Sequence, residues 1–320
     1  MLQEIFRIPW LGIPIYGYGL MLVIGFLLAT ELAKFLARHA RLNQELFVNA
    51  GLIALVTGVI GARISHVIEN WPDYSRADLS FWQNAWNAIN IRSGGLTFYG
   101  GLILGFFCAL AYGLWKKAPI RVGMDVLAPA LMVGLGLGRV GCFLNGCCYG
   151  AECNTPWAVS FPYYSNAYQD EVDHGEVKPP EQLELMTDAG NARLMTPEQA
   201  QRAGLWQVAK QQHSKRLHPA QLYSTIDALL VAAVCVAYFT IPHAPGRGFA
   251  LMMLMMGPIR FLTEMIRAEP PVTWIGNYGW SFSMVLSVFF VVGGLILWVV
   301  CGKIGTKDEW MKQVGTLTPA

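Results

Sequence analysis

The sequence predicts an all-α integral membrane protein of about seven transmembrane helices, with its N-terminus outside and its C-terminus in the cytoplasm. Three observations carry this. The 320 residues are 54% hydrophobic and only 14% charged, where a soluble domain carries about a quarter charged residues. Apolar runs recur at a length suited to crossing a bilayer. Basic residues collect in alternate connections, which orients the spans. A net charge of +2 gives no support for nucleic-acid binding.

The runs are 15–36, 48–68, 96–114, 124–144, 223–241, 249–266 and 282–301. Each is close to the ~20 residues that cross ~30 Å of hydrocarbon at 1.5 Å per residue. The first has a single preceding basic residue, Arg7, and no small-residue cleavage site, so it reads as a retained span. Glycines such as Gly58, Gly61, Gly101, Gly105 and Gly134 punctuate the runs. Small residues let helix backbones approach closely in lipid. Lys34, Arg38 and Arg41, then Lys116, Lys117 and Arg121, then Arg247, and finally Lys303, Lys307 and Lys312 all fall on one side. The positive-inside rule makes that side cytoplasmic. Arg76 and Arg92 lie opposite, in a longer loop.

The predicted organisation follows: spans one to four over 1–154 with an interfacial arm at 69–95, a polar head over 155–217, spans five to seven over 218–302, and a cytoplasmic tail at 303–320. In the arm, Ser80 and Gln83 form a capping-box pattern, and Trp82, Trp86 and Ile89 share one helical face. This reads as a helix lying on the bilayer with aromatics at headgroup level. In the head, Thr196-Pro197-Glu198-Gln199 reads as a helix start.

Polar groups at the outer ends of the spans need a reason. Arginine near the bilayer centre costs at least ~2.5–3.5 kcal/mol. Yet Arg63, Arg139, Arg260 and Arg267 lie within or at the outer ends of outward-running apolar segments, with Glu264, His66, Asn145 and His218 at similar depth. Arg260 and Glu264, one turn apart, are placed to pair. Three helices converging such groups on one leaflet suit a negatively charged headgroup, because guanidinium grips phosphate with several donors.

Seven cysteines are present. Cys108, Cys235 and Cys301 sit alone in apolar runs and read as small hydrophobes. Cys142, Cys147, Cys148 and Cys153 crowd the end of the fourth span. One or two disulfides are the first expectation for an oxidising compartment. A structural metal site and free or redox-active thiols are the alternatives.

Several stretches, in order, resemble the phosphatidylglycerol–prolipoprotein diacylglyceryl transferase family. Tyr18-Gly19-Leu20-Met21 is similar to its YGLM, and Gly94-Gly95-Leu96-Thr97-Phe98-Tyr99-Gly100-Gly101 to its GG(L/M)SFHGG. Gly138-Arg139-Val140-Gly141-Cys142-Phe143-Leu144-Asn145-Gly146 resembles GRxGNFxNG. His218-Pro219-Ala220-Gln221-Leu222-Tyr223 resembles HPSQLY, and the segment from Arg260 to Pro270 resembles R-x3-E-x2-R-(E/Q)-P. The resemblance covers most of the chain outside the head and the arm. It implies a bacterial inner-membrane enzyme whose site faces the periplasm. Such an enzyme moves the diacylglyceryl group of phosphatidylglycerol onto the lipobox Cys thiol of a preprolipoprotein, whose signal peptide docks in the membrane. No metal or other cofactor is implied.

On this resemblance Arg139 and Arg260 stabilise the leaving phosphate. Tyr99, His66, His218 and Glu264 complete the catalytic set. Tyr18, Asn145, Arg63 and Arg267 join Arg139 and Arg260 around the phospholipid, Arg63 in a mainly structural role. The chain departs from the family pattern at Tyr99 for His, Cys142 for Asn, Cys147 for Glu and Ser224 for Glu, and it carries His66 where Tyr is frequent. An exchange of positions between His66 and Tyr99 is one account of the thiol-activating base. His218 is its rival, and activation by the Arg cluster alone is the third. The competing function classes are a same-fold paralogue with another acceptor, a membrane thiol–disulfide oxidoreductase and a transporter. No CxxC or internal repeat supports the last two.

Overall fold

Long apolar runs leave the backbone no solvent partner, so helix is the only element that satisfies its own N–H and C=O groups. The computed structural model, which describes residues 4–7, 14–75, 80–90, 95, 97–186, 192–267 and 280–314, is built accordingly. Arg76, Arg92, Gly94 and Leu96, and residues 268–270 of the last motif, fall outside the described residues.

The chain opens with a short antiparallel hairpin, β1 (Glu4–Arg7) and β2 (Pro14–Tyr16), which the all-α reading did not anticipate. Helices α1 (Gly17–His39) and α2 (Gln44–Glu69) follow. The arm holds α3 (Trp71–Tyr74) and α4 (Phe81–Ile89), and the bundle resumes with α5 (Phe98–Trp115) and α6 (Ile120–Asn145). The head contains α7 (Asn166–Asp173), a second hairpin of β3 (Glu184–Met186) with β4 (Ala192–Leu194), α8 (Pro197–Arg202) and α9 (Trp206–Gln211). Then come α10 (Ala220–Phe239), α11 (Arg247–Ile266), α12 (Phe282–Ile304) and a terminal α13 (Lys307–Val314).

Six of these helices, α1, α2, α6, α10, α11 and α12, are long and apolar enough to cross a membrane. The seventh expected span is α5, at 18 residues the shortest of the set, or about 27 Å of helix. Both sequence-predicted capping boxes are present, Ser80 with Gln83 at α4 and Thr196 with Gln199 at α8. On α4, Phe81, Trp82, Trp86 and Ile89 are all exposed.

Contacts between helices lean on small residues. A Cβ added at Gly61 would lie 2.5 Å from the Gly100 carbonyl oxygen, so α2 and α5 meet backbone to backbone. Tyr18 and Met21 of α1 pack against Gly141 of α6, and Thr225 of α10 donates to the Gly136 carbonyl at 3.2 Å. The head has its own core of Tyr163, Tyr168, Leu183, Leu194, Ala200 and Ala209. It is tied to the end of α6 through Phe161, Ala167 and Leu217 against Phe143 and Tyr149. Opposite the head, Trp310 of α13 is buried among Ala33, Phe47, Val122 and Phe239, and its ring lies 3.8 Å from that of His243. There Asp125 accepts from the N–H groups of Gly246 (2.6 Å) and Phe249 (3.0 Å) and from His243 (3.3 Å), satisfying orphan donors at the start of α11.

Candidate active site

The antiparallel order brings the head-side ends of α1, α2, α5, α6, α10, α11 and α12 together. The candidate site residues lie at or just beyond those ends, and they divide into two groups with different partners.

The first group centres on α11. Glu264 pairs with Arg260 one turn before it at 2.7 Å and with Arg267 at 3.4 Å. Ser281, which caps α12 by accepting from the Met284 N–H, donates its hydroxyl to Glu264 at 2.9 Å. Arg260 donates to Ser283 at 2.9 Å. Among the described residues Arg260 uses Nη2 for both Ser283 and Glu264, which leaves Nη1 and Nε for an incoming acceptor. Arg139, half-buried on α6, is close enough for its charge to act on Arg260, on Tyr18 and on Cys148.

The end of α6 supplies the rest of this group. Gly146 ends the helix in the left-handed conformation (φ 73°), where glycine carries no Cβ penalty. The Cys147 N–H then returns to the Cys142 carbonyl at 3.1 Å. The loop beyond is clasped from both sides. Gly150 donates to the His218 carbonyl (2.9 Å), Ala151 donates to the Ile266 carbonyl (2.8 Å), and Gln221 donates its amide to the Cys147 carbonyl (2.8 Å). The HPAQLY stretch therefore works as a clamp on the cysteine loop. His218 Nδ1 lies 3.2 Å from the Tyr223 hydroxyl, which accepts from Trp157 at 2.7 Å.

The expected disulfide is not formed, and all seven cysteines are free thiols. Cys153 turns away from the others, its sulfur 3.4 Å from the Thr155 hydroxyl. The sulfurs of Cys142, Cys147 and Cys148 instead converge, all within 4.8 Å of one another. Cys148 lies beyond the helix end. Hydrogen bonds from the Cys142 and Cys147 thiols hold it well below the ordinary thiol range, and the Arg267 and Arg139 charges act in the same direction.

The second group surrounds α2. Arg63 is buried and directs Nε to the Ala88 carbonyl (2.8 Å), Nη2 to that of Asn87 (2.7 Å) and Nη1 to that of Gly95 (2.9 Å). Its guanidinium also lies over the Tyr74 ring. These bonds terminate α4 and pin the arm to the bundle. Glu69 receives Ser65 (3.1 Å) and Thr97 (2.7 Å), tying the start of α5 to the end of α2. His66 packs under Gly95, with Nδ1 3.3 Å from Asn70 and its ring edge-on to Tyr74. The Tyr99 ring stacks edge-on to Phe282 at the start of α12, 4.9 Å between centroids. His66 and Tyr99 thus meet different neighbours across the α2–α5 pair. The Tyr99–Phe282 contact joins the two flanks of the bundle at the head end. Tyr18 is partly exposed at the start of α1, and Asn145 is half-buried in the last turn of α6, hydrogen-bonded to Cys147.

Sequence reasoning missed Gln221, Ser281 and Ser283 as members of the site. A Ser-Phe-Ser-Met start to the last apolar run is an N-cap signal that marks Ser281, but the partners of the two serines are set by tertiary packing.

Comparison with known proteins identifies the family. The family profile of prolipoprotein diacylglyceryl transferase matches residues 3–300. The chain is similar to a phosphatidylglycerol–prolipoprotein diacylglyceryl transferase of Rhodopirellula baltica, 35% identical over 52% of this chain and 34% of that one. It is 25% identical to transferase 2 of Clostridium perfringens over 98% of this chain and 99% of that one. It is 28% identical to the transferase of Corynebacterium glutamicum over 91% and 80% of the two chains. With nearly its whole length matched and a guanidinium cluster held at one end of an apolar bundle, the chain belongs to the prolipoprotein diacylglyceryl transferase family.

Proposed function

We propose that the protein transfers the sn-1,2-diacylglyceryl group of phosphatidylglycerol to the lipobox cysteine of a preprolipoprotein, at the periplasmic face of the bacterial inner membrane. The observation that carries this is the Arg260–Glu264–Arg267 network, with Arg139 beside it, at the head-side ends of apolar helices. A guanidinium group in such a place is costly unless it has an anion to serve. Glu264 neutralises part of the charge and fixes both arginines, and the remaining donors of Arg260 suit the phosphodiester. Basic residues gather at the opposite ends of the helices, from Lys34 to Lys312, which supports placing the head and the site outside.

The reaction needs a thiolate and a stabilised leaving group. The acceptor sulfur attacks the sn-3 carbon of the glyceryl group while the carbon–oxygen bond to phosphate breaks. The electron pair leaves with glycerol phosphate, and the product is a thioether. Negative charge grows on the phosphate in the transition state, and Arg139 and Arg260 are placed to meet it. A donor so placed is worth about 2.7–4 kcal/mol. The lipid enters with its acyl chains along the apolar walls, and the signal peptide of the preprolipoprotein brings the acceptor from the membrane.

Purified protein in phosphatidylglycerol vesicles, given a lipobox peptide, is expected to release glycerol phosphate and to increase the peptide mass by one diacylglyceryl group. A peptide with Ser in place of the acceptor Cys stays unmodified. Failure to modify the Cys peptide under conditions where a related transferase does so would overturn the reading.

A further inference from the structure

The half-buried thiols of Cys142, Cys147 and Cys148 form a cluster of sulfur that the transfer reaction described above does not use. Their convergence is held in place by the fold. Cys142 faces in from the last turn of α6, Gly146 reverses the chain, and Gln221 grips the Cys147 carbonyl. Cys148 itself sits in the left-handed region at φ 60°. A non-glycine residue there costs about 1–3 kcal/mol and persists only where its surroundings impose it.

The three sulfurs lie within 4.8 Å of one another. A tetrahedral zinc ion with bonds of about 2.3 Å to sulfur sets its ligands about 3.8 Å apart, which this spread accommodates. Three protein ligands leave a fourth position open, the arrangement of a catalytic and not a closed structural site. Three thiolates on a divalent ion carry net negative charge, and a fourth adds to it. Arg139 and Arg267, whose charges both bear on Cys148, supply the compensation. The imidazoles of His66 and His218 are engaged by Asn70 and Tyr223, so neither is committed to a thiol.

We propose that Cys142, Cys147 and Cys148 bind a zinc ion whose open position takes the acceptor cysteine and holds it as a thiolate for alkylation. The identity of the fourth ligand rests on the transferase reading; the three-sulfur site does not. On coordination the acceptor thiol gives its proton to water, because a metal-bound thiol is deprotonated outright. Its sulfur then bonds to the sn-3 carbon as glycerol phosphate departs with the electron pair. The thioether product has no negative charge and is a weak ligand, so it leaves the site. No oxidant or reductant is involved.

The test uses the full chain in detergent, purified with zinc present and without chelator. Elemental analysis is expected to find one zinc per chain, and Cys142→Ser, Cys147→Ser and Cys148→Ser to lose most of it. Cys153→Ser, whose sulfur faces Thr155, keeps it. Cobalt substitution of the unmutated protein covers the case in which a variant misfolds. Thiolate-to-cobalt charge-transfer bands should appear, and the visible bands should shift when the lipobox Cys peptide is added but not with its Ser counterpart. Substoichiometric zinc in protein whose three thiols are free, or a disulfide among them, overturns the site. Undiminished transfer by metal-free, fully reduced protein overturns its catalytic role. Zinc binding with a peptide-dependent cobalt shift but no lipid transfer keeps the site and rejects the transferase reading instead.

Discussion

Glu264 holds Arg260 and Arg267 at once, 2.7 and 3.4 Å away, and Ser281 satisfies its other oxygen. Loss of that carboxylate leaves two guanidinium groups repelling each other at the end of an apolar helix. Glu264→Gln is therefore expected to impair transfer by misplacing Arg260. Arg139→Lys and Arg260→Lys should each lower the transfer rate by about 10²–10³-fold, since an ammonium lacks the planar fork that meets two phosphate oxygens. Rates of thioether formation in phosphatidylglycerol vesicles check both, and wild-type rates from either lysine variant would remove it from the site. Glu171, in the head, shows a different residue-scale effect. Burial pushes its carboxyl above the usual carboxylate range, although Oε2 accepts the Lys215 N–H at 3.0 Å. Oε1 has no hydrogen-bond partner among the described residues. The folded head then holds the Glu171 proton to a higher pH than the unfolded chain does. Head stability falls as pH rises from the ordinary glutamate pKa of ~4.3 through the higher folded value. Glu171→Gln should stabilise the head by about 1 kcal/mol at neutral pH. Amide exchange of α7 is the readout, and the gain should vanish in acid, where Glu171 is protonated.

At the scale of elements, α4 depends on a residue far from it in sequence. Three donors of Arg63 bind the carbonyls of Asn87, Ala88 and Gly95, so the arm is fastened to α2 by one side chain. Arg63→Ala is expected to release α4 and raise its amide exchange while leaving the exchange of α10 and α11 unchanged. Arg63→Lys should not repair it, because one ammonium cannot reach three diverging carbonyls. The α2–α5 seam makes a second case. The backbones meet at Gly61 and Gly100 with no room for a Cβ. Gly100→Val should cost about 1–3 kcal/mol of stability in detergent through overpacking. Helix positions, both capping boxes and the exposed aromatic face of α4 were legible because each is a local pattern of period and cap. The β1–β2 hairpin was not. Its strands are 4 and 3 residues long, too short to show a period, and it exists only through pairing.

For the whole molecule, the end opposite the head is closed by α13. Trp310 is buried against Phe239 and His243, and Arg121 bonds Glu309 at 2.8 Å, so α13 packs onto the bundle as a plug. Trp310→Ala should cost about 3–5 kcal/mol, measured as a lower unfolding temperature in detergent. Head-side chemistry is expected to survive below that temperature. By itself the sequence determined the class of fold, the positions of the long apolar helices, the sidedness expected from basic residues, and which polar residues stand out of place in lipid. Those properties follow from composition, period and charge, each read over a few neighbouring residues. Tertiary structure alone decided that Arg63 serves the arm while Arg260 and Arg267 share Glu264. It alone turned Cys153 away while Cys142, Cys147 and Cys148 converged without a disulfide. A side chain's depth can be counted along its helix. Its neighbours depend on the rotation and approach of helices distant in sequence, and the close-packed backbones of α2, α5 and α6 set those.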